Sequence, residues 1–517
     1  MGRLGRLWPA LVGAGLAALA LGPALGWGFV LRYDMVFVPD PPLLPDTGGF
    51  PRAVPSDLVV ALLSRVLPGE IVQKALLVAI FVLAASGAAA LLPRERRLAR
   101  PAAAVLYAWN LYLAQRLLLG QWALLLGFAG LPWAVRAAAR PGWKHLATAL
   151  IPAAVGGFQA MLVTGLTLVP IAVARRRVVP VVALLGLFSL PWLVPALLSG
   201  AETDPAGVDA FAARADGPFG VVGSLLSLGG IWNAEAGVPG QESWWLATGR
   251  LLLVAVGLYG YARLRTKADA RPEAGNRPAA GRRPEEGELP EADARPGWWG
   301  GLAVAAAAGF CVACLGALAP GALKWLIGLW PGFGPLRDGQ AYLAPLVLVA
   351  AVGLGSALRT TFRGTAAGVV GVLAPLLVLP TFAWGAAGRL AAVEYPEEWR
   401  TVQRIVNDDP ATGALLSLPW GAHRAFAWNG GRVTLDPATK LFERRVIWDD
   451  SLLVGLPDGG RLRVRGEDPL NRKAAAGDLD GLSVRYVLIA GNENRFPFDR
   501  TGWTPVHQGV ELTLLRR

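Results

Sequence analysis

The sequence predicts an α-helical polytopic membrane protein of about eleven transmembrane helices, followed by a C-terminal extracytoplasmic α/β domain. Three observations lead there. Of 517 residues, 54% are hydrophobic and only 17% charged, with mean hydropathy +0.44, whereas charged residues make up about 25% of an ordinary soluble protein. The apolar residues come in long charge-free blocks instead of the dispersed pattern that several soluble cores would need. From about residue 390 onward the composition reverts to that of a soluble domain.

A hydrocarbon layer about 30 Å thick needs about 20 apolar helical residues. Runs of that kind occupy 7–30, 75–92, 178–198, 298–320, 341–358 and 365–388, and 244–264 is another, interrupted by Arg250. Residues 102–135 and 146–174 are each too long for one upright helix and short for two. They read as hairpins of short or broken helices, which lipid tolerates only where protein or a wet cavity satisfies the freed backbone. Basic residues set the orientation, because loops rich in Lys and Arg stay cytoplasmic. Arg3 and Arg6 precede the first run; Arg94, Arg96, Arg97 and Arg100 follow the second; Arg136, Arg140, Lys144 and the triplet at 175–177 follow the two hairpins; the stretch 263–295, Arg359 and Arg363 complete the set. The N-terminus is then cytoplasmic, everything after residue 388 is outside, and much of the +12 formal charge records topology. No nucleic-acid partner is expected. The first run exceeds the roughly 7–15 apolar residues of a signal peptide and has no small-residue cleavage site before Arg32, so it is read as an anchor.

Four parts follow. Residues 1–265 form an N-terminal membrane half with outer loops at 31–70 and 199–243, and 297–389 form a C-terminal membrane half. Between them, 266–296 is rich in Arg, Glu, Ala, Pro and Gly, and is expected to be a disordered cytoplasmic linker. Residues 390–517 form the extracytoplasmic α/β domain. The apolar stretch FGVVGSLLSLGGIW at 219–232 is expected to lie at the membrane surface or under that domain. Within the domain, Pro396 opens a helix with Glu397 and Glu398 in its first turn and Trp399, Val402, Ile405 and Val406 on one face. Residues 414–418, 432–435, 484–489 and 511–515 read as strands.

The charges at the outer mouths of the spans are the first site candidates. Asp34 sits just beyond the first run, with Asp40 and Asp46 in the Pro-rich loop after it. Each is either a carboxylate held at the membrane surface for catalysis or binding, or part of a solvated loop that stops the helix. Arg116 lies inside the first hairpin, between Gln115 and Gln121 in NLYLAQRLLLGQW. A charge at membrane depth faces a cavity or a partner, unless it snorkels to the interface beside Trp122; Arg also suits bidentate phosphate recognition. Arg337 and Asp338, directly before the run at 341–358, either contact a ligand head group or form a local ion pair. Cys311 and Cys314 make a CxxC within an apolar span, where packing is the better reading. His145, His423 and His507 have no metal-ligand spacing, and no P-loop or strand-linked GxGxxG is present. Trp420, His423, Trp428, Asn429 and Asp436 either line a carbohydrate site or pack the domain.

Taken together these features resemble the GT-C membrane glycosyltransferases. The segments NLYLAQRLLLGQWALLLGFAGLP (110–132), GSLLSLGGIWN (223–233) and LRDGQAYLAP (336–345) are similar to parts of actinobacterial cell-wall arabinofuranosyltransferase-like proteins. The resemblance implies a plasma-membrane enzyme that transfers a sugar from a polyprenyl-phosphate donor to an extracytoplasmic cell-envelope glycan. Such a reaction needs one general base for the acceptor proton and cationic stabilisation of the leaving phosphate, with no second carboxylic acid of the glycosidase kind. By position, the resemblance makes Asp34 the base with Asp40 as its substitute, and Arg116 or Arg337 the phosphate contact, with Gln115, Gln121 and Asp338 as neighbouring substrate-binding residues. No cofactor is called for; the first outer loop has no metal-binding pair, and a divalent metal is left open. The expected partners are the lipid-linked donor, the glycan acceptor and the bilayer. Two other readings compete: a transporter or flippase of lipid-linked intermediates, and a non-catalytic GT-C-like scaffold. Inverted repeats are frequent in transporters, and none is detected here.

Overall fold

The structure is a computed structural model and describes residues 4–43, 51, 53–93, 98–199, 203–264, 296–362, 364–456, 459–476, 481–491 and 501–517. Its membrane part is a helical bundle around one central helix, Ala344–Thr360, which is buried along almost its whole length. Small residues decide how close its neighbours come. Helix Trp244–Ala262 crosses it where a Cβ on Gly353 would overlap the Gly257 carbonyl, and one on Gly257 the Ala350 carbonyl. The two backbones touch, as membrane helices do where small residues face each other. Helices Ala99–Ala108 and Trp299–Leu318 pack on the same central helix. By contrast Val178–Leu198 fully buries only Val181 and Trp192 and leaves much of its apolar surface exposed, the composition of a helix facing lipid.

Among the described residues, six helices are long and apolar enough to cross a membrane, and the pair Thr365–Leu377 and Pro380–Gly388, bent by 60°, adds a seventh if taken as one span. The expected count of about eleven is therefore too high for full-length crossings. The reason lies in the two long apolar regions, which break at Asn110, Gly120 and Gly157. Asn110 caps helix Leu111–Leu118 by accepting from the Leu113 N–H at 2.9 Å. Gly120 (φ 83°) and Gly157 (φ 78°) take backbone conformations that suit glycine. The longest resulting pieces, Trp122–Ala138 and Phe158–Ala174, have 17 residues each, short of the roughly 20 of a full span. The linker expected at 266–296 lies outside the described residues except for Pro296, as do Asp46 and the basic residues at 94–97.

The C-terminal domain is built on a five-stranded sheet in the order Thr504–Gln508, Leu512–Arg516, Val484–Ala490, Ala414–Leu418, Val446–Ile447. The first two pairings are antiparallel and the last two parallel. Helix Glu397–Asn407 turns Trp399, Val402 and Val406 inward, and Trp399 meets Phe426 at 5.6 Å and Trp428 at 6.1 Å between ring centroids. The strand expected at 432–435 is not in this sheet. Val433–Leu435 pairs instead with His423–Ala425, and a second hairpin joins Leu452–Gly455 to Arg461–Val464. Both hairpins face the membrane part and help to enclose the site.

Gly353→Leu should drive the central crossing apart, an overpacking cost of about 1–3 kcal/mol or more. The expected result is a lowered apparent melting temperature of the full chain in detergent, while Gly300→Leu, at an exposed position with nothing within 4 Å of a new Cβ, leaves it unchanged.

Candidate active site

Asp34 is held where three parts of the chain meet. Strand Phe29–Val30 pairs antiparallel with Ala392–Val393. The buried Gln73 amide clasps Val30, accepting from its N–H and donating to its carbonyl, both at 2.8 Å. The chain then turns sharply: Met35 N–H donates to the Arg32 carbonyl at 2.8 Å, and Tyr33 is left-handed with φ 44°. Tyr33 joins the Val433–Leu435 strand through both backbone groups, its N–H donating to Val433 (2.8 Å) and its carbonyl accepting from Leu435 N–H (2.9 Å). On the membrane side, Asp34 N–H donates to the Leu119 carbonyl at 3.2 Å. Gly120 permits that approach, since a Cβ there would overlap the Met35 nitrogen and the Arg32 carbonyl and lie 2.8 Å from the Asp34 nitrogen. The backbone of Asp34 is thus fixed on both sides while the residue itself stays exposed.

Asp34 lines a cavity of about 2150 Å³ between the membrane part and the C-terminal domain. Pockets for one small ligand run to about 300–1,000 Å³, so this one has room for two substrates or one long one. Gln121, Gln159 and Asp338 line it from the membrane part, and His423, Lys440 and the hairpin 452–464 from the C-terminal domain. Trp192, Leu193 and Leu197 of the outward-facing helix Val178–Leu198 form an apolar wall, while Asp216, Glu235 and Glu242 make another part acidic. Burial pushes the His423 imidazole below its ordinary pKa, and the Asp34 carboxylate opposes that shift.

Arg116 does not reach this cavity; it is fully buried behind it. Its Nη1 and Nη2 bind the two Asp338 carboxylate oxygens at 2.6 and 2.7 Å, its Nε donates to Gln340 Oε1 at 2.6 Å, and Nη1 also donates to Gln121 Oε1 at 2.6 Å. A buried guanidinium requires such a full set of partners, and Arg116 forms a clamp beneath the cavity instead of part of its wall. Gln115 is likewise turned inward, donating to Asp216 Oδ2 at 2.7 Å and to Gln241 at 3.1 Å. Gln121 and Asp338, two of the three residues that Arg116 grips, line the cavity, and Gln159 adds a 3.1 Å bond to Asp338.

Arg337 also lines the cavity, with its guanidinium 5.1 Å from the Phe211 ring centroid and Nη2 3.0 Å from Glu467 of the C-terminal domain. Similar contacts tie the two parts together elsewhere: Lys440 pairs with Asp57 at 2.9 Å, and Arg214 donates to the Gly455 carbonyl at 2.6 Å. Asp40 is exposed but absent from the cavity wall, and its carbonyl accepts from Gln403 at 3.1 Å. Of the aromatic and polar set in the C-terminal domain, only His423 lines the cavity. Asp436 is buried against Arg424 and Ser417 (2.8 and 2.6 Å), Asn429 is buried and bonded to backbone carbonyls, and Trp428 stacks on Phe426 at 5.1 Å. Cys311 and Cys314 are free thiols. Among the described residues no group of three or more His, Cys, Asp or Glu is placed to hold a metal ion.

No protein-family model matches the sequence. Comparison with curated proteins likewise gives no match. The structure, over its whole length, matches the cryo-electron-microscopy structure of arabinofuranosyltransferase AftD from Mycobacteria, with a TM-score of 0.50, 15% identity and 40% of that chain covered. The likeness is one of fold. A structure of a mutant form of the same enzyme gives the same score and identity over 41% of its length. The present chain therefore spans about two fifths of the length of these structures.

Asp338→Ala would leave Arg116 buried without its counter-ion, and breaking such a pair costs about 3–5 kcal/mol. Thermal denaturation of the full chain in detergent should show a large loss for the single variant and recovery of most of it in Arg116→Met/Asp338→Leu. Equal stability of Asp338→Ala and the parent would contradict the clamp.

Proposed function

We propose that this protein is a plasma-membrane glycosyltransferase that moves a sugar from a polyprenyl-phosphate donor to a hydroxyl of a cell-envelope glycan on the outer side of the membrane. The observation that carries this reading is the exposed Asp34, rigidly seated at the end of the first span in a cavity large enough for two substrates. The GT-C-like fold and the arabinofuranosyltransferase named for its structural neighbour support the same class of reaction. The basic loops support a cytoplasmic N-terminus and an outer C-terminal domain.

In this reading the acceptor oxygen attacks the anomeric carbon, its proton passes to the Asp34 carboxylate, and the bond from that carbon to the phosphate oxygen breaks. The lipid phosphate leaves as an anion beside Arg337, replacing Glu467 as the guanidinium's partner. Gln121 and Asp338, braced by Arg116, orient the sugar hydroxyls. The apolar wall at Trp192, Leu193 and Leu197 takes the polyprenyl chain.

Transfer can be measured with purified full chain in lipid vesicles, using labelled polyprenyl-phosphate arabinofuranose and related donors with an oligosaccharide acceptor. Asp34→Asn should lower turnover by about 10²- to 10⁴-fold with little change in donor binding. Arg337→Gln should instead weaken donor binding, and full activity of Asp34→Asn would remove Asp34 from the reaction.

A further inference from the structure

Resting on that reading, we propose that His423 is a positioning residue for the reaction. Its neutral imidazole receives, through water in the cavity, the proton that Asp34 takes from the acceptor hydroxyl and releases it to bulk water. The C-terminal domain would then supply a working part of the site and not only a surface for the acceptor.

Geometry carries the assignment. His423 begins the His423–Ala425 strand, whose partner across the hairpin, Leu435, donates its N–H to the Tyr33 carbonyl. The hairpin is therefore bonded to the residue next to Asp34. The Tyr33 and His423 rings meet edge to face, with centroids 5.8 Å apart. Alternation along the strand sends Arg424 to the opposite side, where it pairs with buried Asp436, and leaves His423 on the cavity wall with Asp34. Glu235 and Lys440 share the cavity wall with it. Arg32 stacks on the far partner, Tyr33, at 4.8 Å, and Lys440 pairs with Asp57. Burial favours the neutral form of the imidazole, able to accept a proton, and the Asp34 carboxylate on the same wall favours the protonated form that results.

The balance is simple. The acceptor O–H bond breaks as its oxygen bonds to the anomeric carbon, the bond from that carbon to phosphate oxygen breaks, and the proton moves from hydroxyl to Asp34, then through water in the cavity to an imidazole nitrogen, then to bulk water. Asp34 returns to its carboxylate form for the next turnover.

The sequence contains three histidines, so the ring signals of the full chain in detergent can be assigned by NMR with single His145→Gln, His423→Gln and His507→Gln variants. Asp34→Asn should lower the titration midpoint of His423 by about 1, the loss expected for a nearby carboxylate, and leave His145 and His507 unmoved. An unmoved His423 would overturn the pairing, and this outcome does not depend on any sugar being transferred. In the transfer assay, His423→Gln should reduce turnover at least about tenfold with KM little changed, and should abolish the fall in rate on the acid side of the His423 titration. A His423→Gln enzyme with parental turnover and pH profile would overturn the inference while leaving the transferase reading intact. If the parent transfers no sugar from any donor tested, the transferase reading falls and the relay falls with it.

Discussion

The arrangement depends on the short backbone closure after the first span. Within residues 29–35 the chain pairs with the start of the C-terminal domain, with the 433–435 strand and with the broken helix end at Leu119. Each backbone hydrogen bond contributes only about 0.5–1.5 kcal/mol net, but a buried group left unpaired costs about 1–3 kcal/mol. Several such groups here would be left open together, so Asp34 cannot shift without separating the two domains locally. Gly120 is the steric condition for that closure, because the backbone of the turn occupies the space where its side chain would be.

A second constraint sits beneath the first. Arg116 and Asp338 join two stretches of chain that are far apart in sequence, and the pair is buried between helices. Desolvating two charges offsets most of their attraction, so the pair is better understood as fixing geometry than as adding stability. It holds Gln121 and Asp338 at the cavity surface. Arg337, one residue away, differs because its partner belongs to the C-terminal domain and its face is open to the cavity. Of the two candidate phosphate-binding arginines, it is the one whose anion could be exchanged.

Much of the membrane architecture was legible because lipid imposes a length rule. The seven apolar runs of single-span length correspond to the six full-length helices and the bent pair. The broken character of 102–135 and 146–174 followed from lengths that fit neither one span nor two. The span count did not follow, since 17-residue helices are marginal by that rule. Asp34 was visible from its position after the first span. The role of Arg116 was not, because a sequence shows a costly charge but not the distant carboxylate that neutralises it. Nothing in the sequence near His423 places it beside Asp34; that follows from a hairpin that pairs with the membrane part.

The central claim is that one cavity, closed by both domains, brings the reacting sugar to Asp34. The most direct measurement is a cryo-electron-microscopy structure of the full chain in lipid with a non-hydrolysable polyprenyl-phosphonate sugar. The account predicts the sugar's anomeric carbon facing Asp34, the phosphonate beside Arg337 in place of Glu467, and the lipid chain along Trp192 and Leu197. A sugar bound away from Asp34, or a phosphonate held on the membrane face opposite the C-terminal domain, would contradict it.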